Sequence, residues 1–379
     1  MPVRNVPLSL YRRPQVSLAR STTLRMWLVS ACAGLAVVQS SLTDDGASLM
    51  IAFAALSGAV LSEFLLNVKF HGQNIADGSA AASALIFTLL LPNTFPPVLA
   101  FLGSIFAMAV VKHSFGGLGA NWLNPAVGAW LFARFSWPAA FEESLRNSPL
   151  SLLSTLSRNG GLDPQGSPLS LLAANGMDLG GAFPPPDAAS LAGFGAVFGN
   201  GAEGVAAFLN RTFFSLLGTR LPAEYAALFA PRFPAIIADR GLLCLLAGSI
   251  VIVAFQAGET WIPAVFLIVY AFLVRLFGAF LLGGALGNGD IFFGICSGGV
   301  IVAVFLLSSD PATAPKSRGG KAAAVVLAAA LAFMFRYLAF EPYGAFFAIA
   351  LVNILVLLIR GVENRFLYHQ NNKRRAGYE

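Results

Sequence analysis

Apolar stretches long enough to cross a lipid bilayer follow one another along most of this 379-residue chain, with short polar turns between them. A helix needs about 20 such residues to cross about 30 Å of hydrocarbon. Inside that medium every backbone N–H and C=O must be satisfied by the protein itself. Composition agrees with a membrane-embedded chain: 57% of residues are hydrophobic and 11% charged, against roughly half and a quarter in soluble domains. The expected class is an all-α polytopic membrane protein.

The spans read in order are Leu24–Leu42, Leu49–Val68, a short third run closed by Pro92, Pro96–Val111 and Leu123–Ala139. After an interruption come Gly241–Gln256, Trp261–Leu276, Asp290–Ser308, Ala322–Leu338 and Tyr343–Arg360. The net charge of +6 gathers at the two ends and in the loop after Ser308. Such clustering sets topology and does not mark nucleic-acid binding. It places both termini in the cytoplasm. The basic leader, residues 1–23, shows no cleavable signal. Residues 24–139 and 240–360 form two five-span groups, 140–239 an extracytoplasmic insertion rich in Gly, Pro and Ser, and 361–379 a basic tail. Five is odd, so the second group enters the membrane from the opposite side, as in an inverted repeat. In both groups the third element follows an Asp-bearing loop (Asp77, Asp290) and ends at a proline (Pro92, Pro311).

Chemistry concentrates in Lys112–Pro125, KHSFGGLGANWLNP. Gly116, Gly117 and Gly119 allow close backbone approach, and a helix is expected to start at Asn121 or Asn124 with Pro125 in its first turn. Helix N-terminal N–H groups favour an anion such as phosphate; the competing reading is a tight turn with no ligand. The third run opens at Asp77-Gly78-Ser79 and is too short to span the bilayer, so it must be covered by protein or line a cavity. Asp77 and Asp310 are intramembrane acids, functional candidates by default, against a helix cap for Asp77 and a turn for Asp310-Pro311. Lys112 is read as marking a cytoplasmic edge, His113 as interfacial with a proton relay as the alternative, and Arg336 as snorkelling to the opposite interface. Cys32, Cys244 and Cys296 lie singly, so no metal cluster is expected from this chain alone. No Rossmann fingerprint stands on a strand–turn–helix.

The blocks KHSFGGLGANWLNPA, DGSA and LLSSDPATAPKSRGGK resemble the family that contains the D subunit of the Rnf electron-transport complex. The B subunit of the sodium-pumping NADH:quinone oxidoreductase is in the same family. The resemblance covers roughly residues 24–140 and 240–362. It implies ten transmembrane helices in a urea-transporter-like fold, in the bacterial inner membrane, with membrane lipid and other subunits of an Rnf-type complex as partners. It implies flavin cofactors: FMN joined through its phosphate to a hydroxyl side chain, with riboflavin as a candidate second flavin. The implied activity is electron transfer between ferredoxin and NAD, coupled to Na⁺ or H⁺ translocation, by a subunit that is not catalytic alone. The FMN-bearing position corresponds to Ser167 in LDPQGSPL, where the family carries Thr, and Asp163 precedes it by four residues. Two alternatives stand beside this reading: a solute channel of the same fold without a redox cofactor, and a structural subunit that has lost its covalent flavin. Asp77, Ser79, Asn121, Asn124 and Asp310 complete the residues expected near a cofactor.

Overall fold

The structure is a computed structural model and describes residues 22–70, 77–115, 121–148, 150–151, 211, 227–229, 235–255, 259–282, 284–310 and 312–376. Every named element among these residues is a helix. The first group comprises α1 (Thr22–Ser41), α2 (Ala47–Phe70), α3 (Ser79–Leu90), α4 (Pro97–Phe106), α5 (Pro125–Ser136) and α6 (Ala139–Arg146). The second comprises α7 (Ile237–Arg240), α8 (Leu242–Ala254), α9 (Trp261–Leu273), α10 (Ile291–Cys296), α11 (Val300–Val302), α12 (Arg318–Phe333) and α13 (Gly344–Ala376). Several helices widen into π-turns, α4 over Ala107–Lys112 and α12 over Met334–Leu338.

Among the described residues, five helices are long and apolar enough to cross a membrane, and three more, including α3 and α8, are apolar but shorter. The protein is a multi-pass membrane protein. Helix α2 lies on α4, and α9 on α12; α1 packs on α3 and also on α8. The α2–α4 approach depends on Gly58, where a Cβ would sit 2.5 Å from the Phe101 carbonyl oxygen. Trp130, fully buried on α5, meets Phe141, Phe346 and Phe347 edge-on and joins α5 to α6 and α13.

Helix starts follow local chemistry. Asn124 caps α5, its side chain accepting from Ala126 N, with Pro125 as the first helical residue. Asp290 caps α10 through Phe293 N, and Ser317 caps α12 through Gly320 N. Gln39 of α1 accepts from Cys244 N (2.8 Å), satisfying a free donor in the first turn of α8.

Two elements are interrupted inside the apolar body. Helix α3 has 12 residues, about 18 Å at 1.5 Å per residue, well short of a bilayer. Its chain end is met at the start of α7: Ile237 N donates to Leu91 O (2.9 Å) and Asn93 N to Ala235 O (3.2 Å). The second break lies between α10 and α11. Gly298 and Gly299 adopt φ +67 and +69 there, a region that favours glycine. Their N–H groups both donate to the Asp239 carboxylate, at 2.8 Å each. Residues 235–240 thus form a strap that serves both breaks, and Arg240 anchors it to the α1–α2 turn through Thr43 O (2.6 Å).

Arg336 does not snorkel. It is 1% exposed and donates to the Tyr270 hydroxyl (2.7 Å), Gly294 O (2.5 Å) and Ser297 Oγ (2.9 Å). Three acceptors clustered below the α10–α11 break outweigh the reach to an interface, because a buried guanidinium with hydrogen-bond partners avoids the cost of an unpaired charge.

The strap is open to a direct test. Replacing Asp239 with Leu leaves two buried N–H groups without an acceptor, at about 1–3 kcal/mol each. Asp239→Leu is expected to lower the melting midpoint of the detergent-purified protein well below that of Asp239→Asn, which keeps one acceptor. Equal midpoints would mean that the two donors do not depend on this side chain.

Candidate functional site

A cavity of about 300 Å³ opens at the end of α3 opposite the strap. One face of α3 forms a wall, with Ser79, Ala82, Ser83 and Ile86 at the spacing that aligns side chains on a helix. The small residues of that face leave the room. Asn121, Asn124 and Asp310 supply polar groups, and Phe305, Met26 and Val29 an apolar wall. Such a mixture of apolar lining and few convergent polar groups is typical of ligand sites, whose volumes run from about 300 to 1,000 Å³.

The polar edge is built by turns. Asn124 Nδ2 donates to Asp310 Oδ2 (2.9 Å) while its Oδ1 caps α5 at Ala126 N (3.0 Å). Asp310 Oδ1 accepts from Ala312 N (3.0 Å). Asp310 is therefore both a turn residue, as its sequence context suggested, and a bridge between the two halves of the chain. Arg360 of α13 holds the same turn through Ala312 O (2.8 Å) and Ala314 O (2.7 Å). Asp77 Oδ1 accepts from Ser79 N (2.8 Å) and Ser79 Oγ (2.6 Å), so it orders the start of α3 and acts on the cavity through Ser79.

Lys112 is buried within the protein. It is 1% exposed and lines the cavity, its Nζ donating to both Glu63 carboxylate oxygens (2.8 and 2.9 Å) and to Ser79 Oγ (2.7 Å). His113 is turned to the same carboxylate, Nε2 to Oε2 at 3.2 Å, and not outward to an interface. Glu63 escaped the sequence reading although it is a lone acid within the apolar run of α2, the signal that marks functional candidates.

Of the residues expected near a cofactor, Ser79, Asn121, Asn124 and Asp310 meet at this cavity, although 231 residues separate the first from the last (310 − 79). Gly116, Gly117, Gly119, Asp163 and Ser167 lie outside the described residues. Among the described residues, no group of three or more His, Cys, Asp or Glu side chains could hold a metal ion.

The described residues thus form an all-helical membrane protein with a polar-edged cavity beside a short helix. Residues 10–368 match the model of the NQR2, RnfD, RnfE family, and the chain belongs to that family. It is 25% identical over 350 residues, 91% of each chain, to the D subunit of the proton-translocating ferredoxin:NAD(+) oxidoreductase complex of Clostridium ljungdahlii. It is 27% identical to the D subunit of the ion-translocating oxidoreductase complex of Shewanella denitrificans, over 90% of this chain and 92% of that one. A Na(+)-translocating counterpart from Acetobacterium woodii is 23% identical over 84% of this chain and 81% of its own.

Two functions of Asn124 can be separated. Asn124→Ser keeps a capping oxygen and is expected to cost little, whereas Asn124→Ala costs about 0.5–2 kcal/mol. Asn124→Asp caps as well but sets a second carboxylate against Asp310, and like charges at that range repel. The Asp variant should melt lowest near neutral pH and recover as acid protonates one of the pair. A pH-independent midpoint would contradict the Asn124–Asp310 contact.

Proposed function

We propose that this protein is the D-type membrane subunit of an ion-translocating electron-transport complex of the Rnf type. In this reading it carries electrons through flavin and helps couple them to Na⁺ or H⁺ movement. The supporting observation is the cavity in which residues from α3, the stretch before α5 and the turn after α11 converge. Its chemistry suits a flavin ring: the Asn121 and Asn124 amides offer donors and acceptors to a polar ring edge, and Phe305 and Ile86 offer apolar surface. Bound there, a flavin supplies reversible electron transfer. The chain would hold its polar edge through Asn121 and Asn124, shield it from water with the α1 and α3 walls, and set a cation, Lys112, on one side.

The proposal includes the finer architecture: ten spans in two inverted five-helix groups, urea-transporter-like, in the bacterial inner membrane with both termini cytoplasmic. The pairing of α1 with α8 and of α5 with α13 supports it, because first elements and last elements of the two groups then face each other. The partners are the other subunits of the complex. A second flavin, FMN, would be joined by a phosphoester to Ser167, with Asp163 upstream.

Two measurements test this on the complex purified from a host that makes the flavin-attaching enzyme. Ser83→Phe fills the cavity from the α3 wall and Asn121→Leu removes a polar partner; each is expected to abolish the acid-extractable flavin of this subunit while the complex still assembles. Unchanged flavin content would place the flavin outside this cavity, and an unaltered subunit without flavin would leave the solute-channel reading in its place. On a denaturing gel the subunit should fluoresce, with an FMN mass on the Ser167 peptide, and Ser167→Ala should be dark. A dark wild-type band would remove the covalent anchor.

A further inference from the structure

Behind the cavity wall one carboxylate is shared by two bases. Glu63 is 1% exposed and accepts from Lys112 Nζ (2.8 Å) and faces His113 Nε2 (3.2 Å). Lys112 passes the contact on to Ser79 Oγ, and Ser79 to Asp77. Lys112 and Ser79 line the cavity. At the other end, the His113 side chain keeps 8% exposure and is followed by the exposed Ser114. A hydrogen-bonded chain therefore runs from the protein surface to the cavity wall.

Its charges balance only until an electron arrives. Around the cavity and this chain stand Arg25 on α1, Lys112 on the π-turn after α4, Glu63 on α2, Asp77 before α3 and Asp310 across the cavity. Arg360 of α13 holds the Asp310 turn and offsets that carboxylate. Among the described residues, Arg25 and Lys112 offset Glu63 and Asp77, so these named charges sum to zero while His113 is neutral. An electron added to the cavity leaves one negative charge uncompensated in a medium of low dielectric, where such charge is expensive. Among the described residues of this cluster His113 is the imidazole, a side chain with one ring nitrogen toward Glu63 and a second that can accept a proton. An ionised carboxylate only accepts, so Nε2 carries its hydrogen toward Glu63 and the lone pair is on Nδ1.

We infer that His113, held by Glu63, takes up a proton at Nδ1 when the molecule in the cavity is reduced. The electron comes from the low-potential donor that feeds the complex. The proton comes from hydronium in the solvent at the His113 end: its O–H bond breaks as the N–H bond on the imidazole forms, leaving water, and no other bond changes. Glu63 and Lys112 are positioning residues that fix the ring and relay its charge to the wall. This rests on the reading of the cavity as a flavin site.

The test is redox titration of the non-covalent flavin in the assembled complex across the histidine range, about pH 5–8. The signal that disappears in Ser83→Phe identifies the cavity flavin. In the unaltered protein its midpoint is expected to fall by about 59 mV for each tenfold drop in proton concentration, one proton per electron. In His113→Asn, with flavin retained, the slope is expected to flatten. An unchanged slope with flavin retained overturns the assignment. Infrared difference spectra of the unaltered complex carrying isotope-labelled histidine give a second readout that needs no variant. An imidazolium band should appear on reduction, and its absence overturns the assignment. If no flavin signal responds to Ser83→Phe, the cavity reading fails and the proton assignment falls with it, a result distinct from a retained flavin with an unchanged slope.

Discussion

Backbone groups released where α3 stops and where α10 gives way to α11 have to be satisfied without water. Leu91 O, Asn93 N, Gly298 N and Gly299 N each find a partner in residues 235–239. In an apolar interior each orphaned group costs free energy, and a few together rival the total margin that keeps a fold stable. The strap therefore makes a half-length helix possible, and the half-length helix leaves the cavity at its other end. Arg240 and Gln39 fasten strap and α8 to α1, so the first helix of each group is tied to the same seam.

Among the described residues, two buried polar clusters lie toward opposite ends of α3. At one, Asp239, Arg336, Tyr270 and Ser297 form a closed set around the α10–α11 break. At the other, Lys112, Glu63, Ser79, Asn124 and Asp310 surround the cavity. In both places a cation near the end of a helix that widens into π-turns reaches a Ser hydroxyl at the edge of an interrupted element. The first set buries an arginine among neutral acceptors and serves the fold. The second pairs its lysine with an acid and adds a histidine that keeps some exposure, the arrangement on which the proposed proton uptake rests.

Much of this was legible in the sequence because its causes are local. Asn124-Pro125 is a helix start by capping chemistry alone, and the run from Ser79 to Pro92 is too short to span by counting. Asp310 before proline announced a turn. Long-range facts were not legible. Nothing near Asp239 says that it caps glycines 59 and 60 residues away. Arg336 looked like an interfacial arginine because its acceptors come from α9 and α10, far along the chain. Lys112 looked like a topology marker because its partner Glu63 lies 49 residues earlier. Glu63 itself carries a readable signal, an acid alone among the apolar residues of a span.

A short helix, a polar-edged cavity and the family of the chain meet in the proposal that the cavity beside α3 holds a flavin ring. A density map of the assembled complex at side-chain resolution tests that most directly. Planar tricyclic density is expected along the Ser79–Ile86 face of α3, with its polar edge at Asn121 and Asn124. A cavity filled by a lipid chain or by ordered water would contradict it.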